Sequence, residues 1–214
     1  MTTAVQHGGR SRADGTVPGR PLAGAAPDVA AATASEPARR QSTLEMTASG
    51  DPEPRAVGEA PGSVLTTGFA EHWERALTGA ELLAERLLAR DSRAAGLDVV
   101  SGGTDVHVVL VDLRGSHLDG RQAEDRLHEI GIAVDRHPVP RDPATPGAGS
   151  GVRIGTRALA ARGFAAADFA EVADVVAAAL RPGTDHLARL ALRGRVRALA
   201  RRHPLHPDLT EADR

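Results

Sequence analysis

The chain has 214 residues and a net charge of −2, and reading it through shows that all 26 of its basic residues are arginine; lysine, cysteine and tyrosine are absent. Those zeros exclude a disulfide framework, a thiolate nucleophile, cysteine-built metal sites and any chemistry on a lysine amine. A pI near 6.5 argues against a dedicated polyanion binder. No apolar run approaches the roughly 20 residues of a membrane helix. No apolar leader follows Arg10 and Arg12, so a cytoplasmic location is expected.

Residues 1–34 are rich in Gly, Ala, Thr and Pro without hydrophobic periodicity, and are expected to form a disordered tail. Residues 35–68 are broken by Pro37, Pro52, Pro54 and Pro61, which predicts an irregular segment with a short helical piece around Arg39–Thr47. An ordered domain is expected over 69–204, followed by a tail at 205–214.

Within that domain, Phe69–Arg90 places Trp73, Leu77, Ala80, Leu83, Ala84, Leu87 and Leu88 on one helical stripe, opposed by charged residues, with Gly96 marking its end. Val99–Val100 predicts a short strand, and Ser101-Gly102-Gly103 a turn. Val106–Leu113 predicts a strand with both faces largely buried. Asp119 is the expected N-cap of a helix running to Ile130, with Gly131 just beyond it. A short strand over Ile132–Asp135 leads into the Pro/Gly-rich loop His137–Gly151. Then follow a strand over Val152–Gly155, a short helix over Arg157–Arg162, a helix over Ala166–Leu180 and a basic amphipathic helix over Asp185–Arg202. The order predicts an α/β fold in which a small mixed sheet is covered by helices.

Three segments carry specific information: Ser101-Gly102-Gly103-Thr104-Asp105 with Leu110-Val111-Asp112-Leu113; Val139-Pro140 with Asp142-Pro143; and Ser150-Gly151-Val152-Arg153-Ile154-Gly155-Thr156 with Arg162-Gly163-Phe164. In that order and spacing they resemble the C-terminal small domain of serine hydroxymethyltransferase, a domain of fold-type I pyridoxal-phosphate transferases. The likeness runs from about Phe69 to Pro204. Upstream, Gln41-Ser42-Thr43-Leu44-Glu45-Met46-Thr47-Ala48-Ser49, with Pro54–Val57 and Gly62–Thr66, is similar to the N-terminal arm of the same family. In the family the whole pyridoxal-phosphate-binding large domain separates arm from small domain. Here the two abut near Thr66–Phe69, so the resemblance implies an internally deleted member.

The resemblance implies that Arg153 is the arginine that holds the substrate carboxylate, a task suited to a planar guanidinium. From the pattern alone, Arg153 reads equally as a strand-edge arginine in water. Ser49 matches the arm serine that approaches the same carboxylate, with a solvated loop serine as the competing reading. His137 stands where the family has a folate-contacting asparagine, although an imidazole cannot copy an amide's paired donor and acceptor. Glu71, in Phe69-Ala70-Glu71, matches either the arm's catalytic proton-transfer glutamate or an acid near the start of the helix that leads into the small domain. His107 is expected to be packed. His203 and His206, with no carboxylate or cysteine partners in the sequence, are read as solvated, so no metal site is expected. The Arg189–Arg202 run lacks the aromatic residues of a nucleic-acid stacking surface and reads as a surface face.

The family reaction converts serine and tetrahydrofolate to glycine and methylene-tetrahydrofolate, with pyridoxal phosphate held by a lysine Schiff base. A chain without lysine is expected to be inactive alone. The alternatives are a docking partner of a full-length homologue or of itself, and a small α/β module binding an anion such as an amino-acid carboxylate. Neither nucleic acid nor membrane is expected as a partner.

Overall fold

The computed structural model describes residues 22–48, 67–142 and 149–205. The chain divides into two compact units, Met1–Ala38 and Arg39–Arg214.

In the first unit, residues 22–34 correct the expectation of a disordered tail over 1–34, while residues 1–21 lie outside the described residues. Helix α1 spans Leu22–Ala25, and α2 spans Pro27–Ser42, its last residues belonging to the second unit. Alanine is the strongest helix former, and it needs no hydrophobic stripe to act. Pro27 opens α2 at the position where a missing N–H costs nothing. Asp28 in the first turn and Arg39 and Arg40 in the last complement the helix dipole. The helix continues through Pro37, which was expected to interrupt it.

The second unit contains β1 (Leu44–Glu45), α3 (Thr67–Leu88), α4 (Arg90–Ala94), β2 (Asp98–Val99), β3 (Val108–Asp112) and α5 (Gly120–Glu129). Next come β4 (Ile132–Ala133), β5 (Asp135–His137), β6 (Gly151–Gly155), α6 (Arg157–Ala161), α7 (Ala166–Leu180) and α8 (His186–Arg202). The architecture is α/β, but the single mixed sheet is corrected. Four strands in the order β2-β3-β6-β5 pair antiparallel throughout, and the parallel pairing belongs to a separate ladder of β1 with β4. The expected strand Ile132–Asp135 therefore divides at Val134. Its first half has a partner of its own, because Leu44 N–H donates to the Gly131 carbonyl at 2.9 Å and Met46 N–H to that of Ala133 at 2.8 Å.

Strand β3 is also one-sided rather than buried on both faces. Val109 and Val111 are fully buried, their neighbours Val108, Leu110 and Asp112 are half-buried, and Val106 is exposed. An antiparallel sheet with its core against one face produces this alternation. The buried face pairs Val111 with Val152 and Val109 with Ile154. Helices complete the core: Ala76, Ala80, Leu83 and Leu87 from α3, Ala123 and Leu127 from α5, and Phe169, Val172 and Val176 from α7. Helix α3 packs chiefly against α7, and Gly79 permits the approach, since a Cβ there would lie 2.6 Å from the Phe169 ring. Asp119 caps α5 as expected: Gln122 N–H donates to its side chain at 2.8 Å, and the Gln122 side chain accepts from Asp119 N–H.

Candidate functional site

The second face of the sheet carries the polar residues. Register places Arg153 of β6 opposite Leu110 of β3 and opposite Asp135 of β5, with His137 two residues along β5 and opposite Gly151. Side chains two residues apart on a strand share a face, so Arg153, Asp135 and His137 lie together, each half-buried.

The Arg153 guanidinium donates from Nη2 to the Asp135 carboxylate at 3.1 Å. The same Asp135 oxygen accepts the Ala48 N–H at 3.3 Å. Arg153 Nε is shielded from water and has no hydrogen-bond partner among the described residues. A buried donor left unmatched costs about 1–3 kcal/mol, a state shared by the Nε of Arg181 and Arg189; the capacity for a further acceptor lies in the part-exposed Nη groups of Arg153. A carboxylate is the natural one, because it can take two N–H groups of the fork at once. Asp135, already on Nη2, is the competitor that such a ligand meets.

The Gly-x-Arg-x-Gly pattern of β6 has a steric reason. A Cβ at Gly151 would lie 2.3 Å from the Val111 carbonyl oxygen, and one at Gly155 would lie 2.9 Å from Ala48 Cα and 3.2 Å from the Thr47 oxygen. Gly155 thus lets residues 46–48 cross the end of the sheet, where its N–H donates to the Met46 carbonyl at 2.8 Å. The segment resembling the family's arm therefore docks on the sheet as far as Ala48, and residues 39–48 belong to the same unit as the sheet rather than to an irregular stretch over 35–68.

A second arginine secures this docking, and sequence reasoning missed it. Arg162 is only 8% exposed. Its guanidinium donates to the carbonyls of Thr43 at 2.7 Å, His203 at 2.8 Å, Ala200 at 2.9 Å and Arg40 at 3.4 Å. These acceptors sit at the C-terminal ends of α2 and α8, where helix carbonyls lack intrahelical partners and the dipole is negative. Burial lowers the Arg162 pKa from its usual value, yet an arginine remains charged. Gln41 adds a reciprocal pair with Leu205, donating to its carbonyl at 2.7 Å and accepting from its N–H at 3.0 Å. The available signal was Arg162-Gly163-Phe164 itself, a segment quoted for the resemblance but given no role.

Other expected residues are dispersed. Ser49 and His206 lie outside the described residues. Glu71 stands in the second turn of α3, exposed, with no hydrogen bond to Arg153. His107 is packed as expected, its ring 5.1 Å from that of Trp73. His203, expected in a solvated tail, is corrected: it stacks on Phe164 at 4.3 Å and places Nε2 3.1 Å from Asp168, because Arg162 draws the end of α8 inward. No cluster of metal-ligating side chains occurs among the described residues, and no described helix is long and apolar enough to cross a membrane. At the far edge of the sheet, a cleft of about 560 Å³ is lined by Arg93, Asp98, Asp112 and Arg114. Its charges satisfy one another: Arg93 bonds Asp98 at 3.3 Å, and Arg114 holds Asp112 at 2.6 Å. The Arg114 bond keeps the Asp112 carboxyl below the usual range despite burial.

The residues present do not fit covalent attachment of pyridoxal phosphate. That bond needs a lysine amine, and the chain has none.

Comparison with known proteins locates these features. The family model for serine hydroxymethyltransferase matches residues 74–176. A serine hydroxymethyltransferase of Leifsonia xyli subsp. xyli is 59% identical over 144 residues, covering 67% of this chain and 33% of that protein. One from Kineococcus radiotolerans is 60% identical over 139 residues, 65% of this chain and 31% of its own length. One from Nocardia farcinica is 56% identical over 146 residues, 68% and 33%. The chain spans about a third of the length of the curated relatives it matches. Arg153, Asp135, His137 and Arg162 fall inside the segment matched by the family model, whereas Ser49 and Glu71 precede it.

Proposed function

We propose that this chain, which belongs to the serine hydroxymethyltransferase family, is a carboxylate-binding small-domain module that does not carry out the family's reaction by itself. The observation that carries this reading is the combination of a half-matched Arg153 beside Asp135 with a sequence that has no lysine. Arg153 binds and orients: its remaining Nη hydrogens grip a carboxylate such as that of glycine or serine. Asp135 sets the strength of that grip by holding Nη2 when no ligand is present. His137, on the same face, presents an imidazole toward whatever the carboxylate belongs to, and one ring N–H supplies a single directional hydrogen bond. The proton transfers and cofactor contacts of the whole family enzyme have no counterpart in this account.

Calorimetric or NMR titration with glycine and serine tests the reading. Wild-type chain binds weakly, Arg153→Ala abolishes the signal, and Asp135→Asn strengthens it several-fold by removing the internal competitor. Absence of binding to wild type and Asp135→Asn alike sinks the carboxylate part. Serine-to-glycine turnover by the purified chain supplied with pyridoxal phosphate and tetrahydrofolate sinks the rest.

A further inference from the structure

We propose that two copies of this chain associate through oppositely charged helix faces, the acidic outer face of α3 in one copy lying against the basic outer face of α8 in the other. This inference goes beyond the carboxylate reading and does not depend on it.

On α3, Glu71, Glu74, Glu81 and Glu85 are all exposed. At 100° per residue they fall within an arc of about 80°, with the exposed Arg75 bordering it about 40° beyond Glu71. None of the four takes part in an ion pair or hydrogen bond among the described residues. On α8, Arg193, Arg197 and Arg201 are exposed at intervals of four residues and are likewise unpaired among the described residues. The other arginines of α8 are engaged: Arg189 with Glu129, Arg195 with Glu171, and Arg202 with Asp168 and Glu171. Leu187 and Leu190, 73% and 48% exposed, lie on the same side of α8 as the free stripe.

Helix α7 packs against both α3 and α8, and its acids are used internally. Asp174 takes Arg86 of α3, while Glu171 takes Arg195 and Arg202 of α8. What remains is a negative surplus on one flank of α7 and a positive surplus on the other. Like charges four residues apart weaken the helix that bears them, as in Glu81–Glu85 on α3 and in Arg193–Arg197–Arg201 on α8. An opposite stripe of the same spacing relieves both at once. The chain carries its own complement, since Glu81–Glu85 and Arg193–Arg197 advance by the same step of about 6 Å along their helices. A two-fold axis that sets α3 on the partner's α8 sets α8 on the partner's α3 as well, which closes the assembly at two copies. Nucleic acid is the weaker match for the arginine stripe, because α8 has no aromatic residue on which a base could stack.

Sedimentation velocity of the full chain tests the proposal, at about 20 mM and about 500 mM salt, where the screening lengths are roughly 20 and 4 Å. A dimer is expected at low salt and a monomer at high salt. The triple reversals R193E/R197E/R201E and E74R/E81R/E85R, each checked for folding by circular dichroism, are expected to be monomeric alone and to form a mixed dimer when combined. If a reversal misfolds, R193Q/R197Q/R201Q serves in its place and is expected to lower dimer affinity at least tenfold. A wild-type chain that stays monomeric at low salt overturns the proposal, as does a dimer that no stripe variant disturbs, or folded reversals that fail to pair when mixed. A monomeric chain that instead binds a fluorescent oligonucleotide overturns it in favour of a polyanion surface.

Discussion

Arg162 and Arg153 show the same side chain put to opposite uses. Arg162 gives its donors to four backbone carbonyls, with no carboxylate involved and almost no exposure. Arg153 is partly exposed and, among the described residues, meets a single carboxylate and has a shielded Nε without a hydrogen-bond partner. An arginine whose donors are all spent on backbone holds structure together. One whose donors are partly spent on a movable side chain keeps capacity for a ligand. The difference teaches that burial and satisfaction, not residue type or strand position, decide how much of a guanidinium is left for a further partner.

The comparison breaks most visibly at Arg162. Replacing it by Ala strands carbonyls at the ends of two helices, and buried unsatisfied polar groups cost about 1–3 kcal/mol each. Arg162→Ala is expected to lower the unfolding free energy by the largest amount of any change considered, measured by urea denaturation. A loss comparable to that of an exposed arginine would remove the clamp from the account.

Next in size is Gly155→Ala, which pushes a methyl into the backbone of Ala48. Overpacking of this kind costs about 1–3 kcal/mol, and hydrogen exchange at residues 44–48 should quicken, since their docking is what the methyl opposes. Unchanged exchange there would show that Gly155 is not what admits the segment.

Acid titration sharpens the contrast from the side of the carboxylates. Burial alone would raise the Asp168 pKa, but bonds from Ala165 N–H, Arg202 and His203 outweigh it and leave the carboxyl below its ordinary 3.8. Asp112 is likewise depressed, by its bonds from Arg114. A depressed carboxyl contributes stability that is complete above its unfolded pKa and disappears as pH falls through the lower folded value. The melting temperature should therefore drop on acidification below about pH 4, and Asp168→Asn should show a shallower drop, read by calorimetry across that range. An identical acid limb in the variant would leave Asp168 without a role.

Smallest of all is Arg153→Ala. A partly exposed ion pair contributes little, about 0–1 kcal/mol at the surface, so its melting temperature should stay close to wild type while glycine binding is lost. A large destabilisation would make Arg153 a second structural arginine and dissolve the contrast.

Much of the helical frame was legible in the sequence. Hydrophobic spacing located α3, α7 and α8 to within two residues, and Asp119 announced the start of α5 by its capping chemistry. Arg153 stood out through the family resemblance of its flanking motif, since the pattern alone left it even with a solvated arginine. Its partner Asp135 did not, because that pairing exists only once β5 lies beside β6, and nothing local to Asp135-Arg136-His137 specifies the neighbour. Arg162 was hidden for the same reason: its acceptors come from residues 40–43 and 200–203, and backbone carbonyls leave no trace in residue identity. Helix α2 was missed because an alanine-rich helix needs no amphipathic stripe to betray it.

The crossing of residues 46–48 over Gly155 has a topological consequence. Ala48 is fastened to Asp135, and α3 is fastened to α7 and the sheet, so both segments are held in one unit by partners distant in sequence. Closing such a loop grows costlier only with the logarithm of its length, by about 0.6 kcal/mol for each doubling. Adding residues after Ala48 is therefore expected to lower stability by well under about 1 kcal/mol, which urea denaturation of a chain lengthened there by glycine and serine would check.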